Sequence, residues 1–259
     1  MNGSSYFDQA IIQFLYHSPV TIHNLFPVAI VIFLAVFTQS LTGFGLGLVS
    51  MPLLTPLLGI EQSGPLVSLV GLTAELLLLV RHRHAFQFHA TWRLAMASAL
   101  AIPVGIMAVR MVDQQLVLHG LGVLITSYAL LALLNLRLPR LEATGWAYAF
   151  GFMSGLLGGA YNASGPPSII YGNCRGWRPA EFKANLQGLF LFNTILVSSN
   201  HILGGHFTPT LWHHYWSALP AIALGLFAGS FLDKWISPHR FRQLVLLLLV
   251  GVGLRLLIQ

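Results

Sequence analysis

Charge is scarce in this sequence. Asp, Glu, Lys and Arg supply 8% of the residues, where a soluble domain carries about 25%. That scarcity excludes an ordinary water-soluble globule. With a mean hydropathy of +0.74, the chain reads as an integral membrane protein. Cysteine is nearly absent as well: Cys174 stands alone, which rules out an internal disulfide framework and a multi-cysteine metal site. The sequence has no nucleotide-binding loop, no Gly-x-Ser-x-Gly elbow and no recognisable catalytic triad. It therefore reads as a non-enzyme, with no cofactor expected. Residues 1–23 contain no Lys or Arg before the first apolar run, so no signal peptide is expected.

Long apolar runs are what the chain does have. Leu116–Leu136 and Leu211–Leu232 reach the roughly 20 residues that span hydrocarbon as a helix. The net charge of +6 comes from loops beside such runs, a pattern of orientation signals rather than a nucleic-acid surface. Residues 1–23, with Phe7, Ile11, Phe14 and Leu15 among polar neighbours, read as a surface-lying amphipathic lead or a frayed terminus. The eleven histidines include Arg81-His-Arg-His84 and His213-His214. Neither grouping has the spacing or partners of a zinc site, so these are read as loop and interface residues and no metal is expected.

Two apolar segments cannot be plain helices. One is broken by Thr42-Gly-Phe-Gly-Leu-Gly47 ahead of Pro52 and Pro56, the other by Gly158, Gly159, Gly165 and Pro166-Pro167. Glycine loosens the backbone there and proline opposes helix continuation. Irregular backbone at membrane depth survives only against protein or a polar cavity, and such breaks mark transporter binding sites. Each broken segment is followed by three apolar ones. Gly105-Ile-Met-Ala-Val-Arg-Met-Val-Asp113 matches Gly225-Leu-Phe-Ala-Gly-Ser-Phe-Leu-Asp233 at Gly, Ala and Asp. A duplication follows, with a lead over 1–23 and repeats over 24–140 and 141–259. Basic loops around Arg81, Arg137, Arg175 and Lys234 read as cytoplasmic, and the uncharged loop near Gly204 as external. The expected fold is an all-α polytopic membrane protein. Each repeat is a broken helical hairpin plus three transmembrane helices, and the odd crossing count makes the repeats inverted.

Gln39-Ser-Leu-Thr-Gly-Phe-Gly-Leu-Gly47 with Pro52, and Gly155-Leu-Leu-Gly-Gly-Ala-Tyr-Asn-Ala-Ser-Gly-Pro-Pro167, resemble the two motifs of the TauE/SafE family of sulfite and organosulfonate exporters. The similarity runs over nearly all of the chain after residue 24. It implies export of a small sulfur oxyanion, such as sulfite or a sulfonate, across a bacterial-type inner membrane without ATP hydrolysis. Tyr161, Asn162 and Ser164 depart from a plain glycine run, which leaves the substrate open.

The residues allow the same chemistry. A desolvated anion needs donors, and helix arms starting at a bend offer unpaired amides and a positive dipole end. Candidate contacts at the first break are Gln39, Ser40, Thr42, Gly43, Phe44 and Gly45. At the second they are Gly158, Gly159, Tyr161, Asn162, Ala163, Ser164 and Gly165. Close helix packing is the plainer explanation of the glycines. Asn185, Asn193 and Asn200 share one helical face, as do Gln187 and Thr194 one strip away. Asn185 and Asn193 are taken as further contacts, against simple interhelical hydrogen bonding. Glu75 could carry a coupled proton, or could pair with Arg81 and Arg83 near the interface. Asp113 and Asp233 read as turn residues. Lys183 and Arg178 read as orientation charges that could also attract anions. Competing functions are a carrier for a carboxylate or neutral sulfur solute, and a non-transporting scaffold subunit. The expected partners are a small anion and the lipid bilayer, and a homo-oligomer stays open.

Overall fold

The computed structural model describes residues 22–134, 139–233, 235 and 238–258. The lead over 1–21, Arg137 and Lys234 lie outside the described residues. Everything described is helical or connecting. The helices are α1 (Ile22–Thr42), α2 (Leu46–Leu58), α3 (Ile60–His82), α4 (Phe88–Arg110), α5 (Gln114–Leu133), α6 (Gly145–Tyr161), α7 (Gly165–Cys174), α8 (Pro179–Leu203), α9 (Pro209–Leu232) and α10 (Pro238–Ile258). Six of them, α1, α3, α4, α5, α9 and α10, are long and apolar enough to cross a membrane. Helix α8 has the length, at 25 residues, but carries the Asn and Gln residues and lies at the centre. Helices α2 and α7, with 13 and 10 residues, rise only about 20 and 15 Å. They are half-length arms.

The pairing of helices follows a single rule. Helix α6 packs on α4 and α1 on α9; α3 packs on α8 and α5 on α10. Exchanging α1–α5 for α6–α10 reproduces each of these pairs. Directions follow from the glycines. Gly64 faces His201 while Gly71 faces Thr194, so α3 and α8 run antiparallel. Gly122 faces Leu256 and Leu257 while Gly253 faces Thr126, so α5 and α10 do too. Gly151, Gly155 and Gly159 meet Leu94, Ser98 and Ile102 in that order, so α6 and α4 run parallel. Gly225 and Gly229 likewise follow Phe33, Phe37 and Ser40 along α1. The matched glycines of the sequence, Gly105 and Gly225, do the same job. Each lets a third helix lie directly on the backbone of the opposite half's hairpin.

Small residues at these seams let backbones approach where lipid gives no hydrophobic drive between helices. The outward faces are apolar and exposed, for example Leu100 on α4 and Phe227 on α9. Trp146 and Trp235 stand near one end of the bundle and Trp212 and Trp216 near the other, as interfacial anchors do. The α4–α6 seam admits no side chain at Gly155, whose Cβ would fall on the Ser98 backbone. Gly155→Val is expected to lower stability by about 1–3 kcal/mol, the cost of overpacking a filled core. Thermal unfolding in detergent reads this directly, and an unchanged midpoint would mean the seam yields freely.

Candidate functional site

Both predicted breaks are present. Helix α1 ends at Thr42 and α2 begins at Leu46, with Gly43 at φ 88° and Gly45 at φ 115°. Helix α6 ends at Tyr161 and α7 begins at Gly165, with Asn162 at φ 51°. Glycine takes these left-handed angles without strain, and Asn is among the few other residues that visit them. Each bend is tied by its own hydroxyls. Thr42 Oγ1 donates to Thr38 O at 2.9 Å and lies 2.7 Å from Phe44 O. Ser154 Oγ donates to Ser164 O at 2.8 Å, and Ser168 Oγ bonds the same carbonyl at 3.0 Å. A buried amide chain fixes the first bend to α8: Gln39 Nε2 donates to Gln187 Oε1 (2.9 Å), and Gln187 Nε2 donates to Gly43 O (2.8 Å).

The two bends meet. The Asn162 carbonyl occupies the space beside Gly47 where a Cβ would stand. Between them lies a polar cavity of about 30 Å³, enough for a water molecule or two. Gly45–Leu48 line it from the first hairpin, Gly158 and Asn162–Gly165 from the second, and Gln39, Glu75, Phe190, Asn193, Thr194 and Val197 complete it. The N-terminal turns of α2 and α7 thus open on one space. Their first amides have no intrahelical acceptor. Leu46, Gly47 and Leu48 supply three such amides from α2. Pro166 and Pro167 carry none, so on the α7 side the donors are the backbone and hydroxyl of Ser164 and the Gly165 amide, while Asn162 Nδ2 donates to Gly64 O at 3.1 Å and ties this bend to α3.

Two buried acceptors at the cavity lack partners among the described residues: Glu75 Oε2 and Asn193 Oδ1. Asn193 Nδ2 donates to Ser164 Oγ at 3.1 Å, and a half-turn of that amide would present its NH₂ to the cavity instead. Glu75 is 5% exposed and interacts with Thr194 and Gln39. It does not pair with the nearby arginines. Arg81 donates to Ser230 O and Arg83 to His84.

The remaining sequence candidates lie around the bends without lining the cavity. Ser40 Oγ bonds Leu226 O and Ser230 Oγ in the α1–α9 seam. Gly43 packs on Lys183, and Phe44 sits under the Arg242 guanidinium at 5.5 Å. Gly159 packs on Ile102, and the Tyr161 hydroxyl lies against Gly120. Asn185 Oδ1 accepts from Gln87 N at 2.9 Å, which fixes the α3–α4 connection. Asn200 bonds its own helix at Leu196 O. Sequence reasoning passed over Leu48, Phe190 and Val197. The face of α8 that meets the cavity is 190, 193, 194 and 197, the spacing of one helical stripe. It is legible once Asn193 is extended by helical period instead of by residue type.

The two ends of the bundle differ. Arg81, Arg83, Arg93, Arg140, Arg175, Arg178, Lys183 and Arg242 gather at one end, while Arg110 and Arg255 stand at the other. At the basic end, Lys183 Nζ bridges both oxygens of Asp233 at 2.9 Å directly beside Gly43. Asp233 is thus an ion-pair partner rather than a free turn residue. At the other end a vestibule of about 480 Å³ lies among Gly59–Gln62, the end of α4, His201 and His206. Asn162 lines both the vestibule and the cavity. The Lys183–Asp233 pair thus stands beside the first bend, and Asn162 is common to the cavity and the vestibule.

The family model described as "Sulfite exporter TauE/SafE" matches residues 28–256. A protein of Cupriavidus necator named "Probable sulfite/organosulfonate exporter TauE" is 25% identical over 233 residues, covering 86% of this chain and 89% of that protein. No solved structure matches the chain. With two broken hairpins meeting at a buried polar cavity inside a bundle of membrane-crossing helices, the chain belongs to the TauE/SafE sulfite exporter family.

Proposed function

We propose that this protein exports a small sulfur-containing anion, sulfite or an organosulfonate, across the inner membrane by alternating access between two inverted halves, 24–140 and 141–259. The observation that carries the reading is the convergence of two half-helix N-termini, α2 and α7, on one buried cavity. Such termini offer unpaired amides and the positive ends of two helix dipoles to the same anion. The antiparallel courses of α3 against α8 and α5 against α10 support inversion. The basic residues crowding one end support a cytoplasmic location for it.

In this reading the anion lies against the amides of Leu46–Leu48 and Gly165, with Ser164, Asn162 and Asn193 completing its shell. Gln39 holds the first bend and Glu75 binds a proton beside the anion. The Lys183–Asp233 pair closes the cytoplasmic path, and parting the bend from α8 opens it. An inside-negative potential favours anion exit by about 2.3 kcal/mol per charge per 100 mV, so no nucleotide is needed.

Counterflow in proteoliposomes tests the reading. Preloaded sulfite or an alkyl sulfonate should drive uptake of the labelled anion, and no exchange of any small anion would leave only a scaffold. Gly165→Ala is the informative variant. Its Cβ would meet Ile169, Leu48 and Phe190 only at 3.5–4.0 Å, so the fold accepts it, but it adds a methyl to the cavity wall. We expect a thermal midpoint near wild type and exchange reduced about tenfold, the size of a lost hydrogen bond.

A further inference from the structure

We infer that the vestibule holds a second oxyanion station, formed by Arg110, His201 and His206, that takes the anion after it leaves the central cavity. The inference rests on the proposed anion export. Local sequence builds the cluster. Helix α8 ends at Leu203 within the run His201-Ile-Leu-Gly-Gly-His206, and Gly205 at φ 71° turns the chain back. Gly205 N bonds Ile202 O, and His206 N bonds His201 O, both at 3.0 Å. The turn returns His206 onto His201. Their Nδ1 atoms lie 3.3 Å apart, with ring centroids at 5.4 Å. From the end of α4, the Arg110 guanidinium reaches the same turn beside Gly204 and His206.

Charge makes this a site for an anion. Two Nδ1 atoms at hydrogen-bond distance share one proton between them, one donating and one accepting. That leaves ring N–H donors beside a guanidinium, an arrangement that suits an anion. Arg110 has no carboxylate partner among the described residues, whose ion pair is Lys183–Asp233. The facing titratable groups are Glu61 from the first turn of α3, Arg110, His201 and His206. Asp113 and His119 line a separate recess nearby. With neutral imidazoles, Arg110 and Glu61 balance, and the ring N–H donors add to the pull of the guanidinium on an oxyanion. A planar guanidinium with ring N–H donors matches the fork of a sulfite or sulfonate head. Asn162, common to both spaces, is the passage between them.

Right-side-out and inverted membrane vesicles expose the vestibule and the Lys183 end in turn. Exchange of an alkyl sulfonate is measured from each side with wild type, Arg110→Gln, His206→Asn and Arg110→Lys. Loss of a charge-assisted contact should raise half-saturation about tenfold from the vestibule side, with the other side unmoved. Arg110→Lys should recover part of that loss, and His206→Asn should raise half-saturation from the vestibule side as well. Equal changes on both sides, or none with Arg110→Gln folded, overturn the station while leaving the exporter standing. If Arg110→Gln does not fold, His206→Asn decides by the same sidedness. No exchange by wild type overturns both.

Discussion

Glu75→Gln should abolish the pH dependence of anion affinity while leaving a competent binding site. Glu75 shares its cavity with the amides of α2 and α7. An ionised carboxylate about 5 Å from a bound anion, at an effective dielectric near 20, repels it by about 3 kcal/mol. That is on the order of a hundredfold in affinity. A protonated Glu75 reverses the effect, because its O–H becomes a donor. Proton and anion should therefore bind together, and raising the pH through the titration of Glu75 should weaken anion binding in wild type. Glutamine is fixed in the neutral form and keeps an NH₂ donor. The variant should hold the affinity that wild type has at low pH across the whole range. Glu75→Ala should also be flat with pH, but weaker throughout. An alkyl sulfonate is the right probe, since it keeps one charge where sulfite itself titrates. Binding to the purified protein would be followed as a function of pH. A wild-type affinity that does not change with pH, or a Gln variant that keeps the wild-type slope, would remove Glu75 from the coupling.

From the sequence alone, Glu75 is divided between carrying a coupled proton and pairing with Arg81 and Arg83. Arg81 stands six residues on, about 240° around the helix at 100° per residue, so it does not share the face of Glu75. Nearness in the chain suggested a pair that helical geometry opposes. The breaks were more legible, because glycine and proline act on the backbone itself. Both fell within a residue or two of the predicted positions, at 43–45 and 162–164. Side-chain roles at those breaks were harder to read. A hydroxyl or amide at a bend has its own backbone within reach, and that competition is decided by local geometry. Thr42 closes its own turn and Asn185 holds the Gln87 amide, while Ser164 and Asn193 reach the cavity. Identical residue types were therefore divided by contacts that no linear pattern records. The repeat signal had a similar limit. Gly105 and Gly225 play matched parts, but Asp113 and Asp233 do not. Asp233 meets Lys183, whereas the position of Lys183 in the first half is taken by the turn containing Ser63 and Gly64.

The smallest substitution with the largest consequence is Gly47→Ala. Two backbones meet there, since the Asn162 carbonyl fills the place of the missing Cβ. Neither side can yield as a flexible side chain would. Gly47 lies in the first turn of α2, and Asn162 is the left-handed residue closing α6. A methyl must therefore push the two hairpin bends apart. Overpacking of a filled interior costs about 1–3 kcal/mol where side chains can adjust, and a contact between backbones should lie at the upper end. Separation also pulls the α2 amides away from Ser164 and Gly165, so the anion loses half of its donors even in molecules that fold. We expect exchange at background and a lowered thermal midpoint. Gly251→Ala is the matched control, because its Cβ meets nothing within 4 Å and alanine favours the helix. It should exchange like wild type with an unchanged or raised midpoint. Gly165→Ala lies between them, folded but slowed. That ordering separates the proposed site from plain helix packing. Packing alone would make loss of exchange follow loss of stability in all three variants, and Gly165→Ala would then behave like Gly251→Ala.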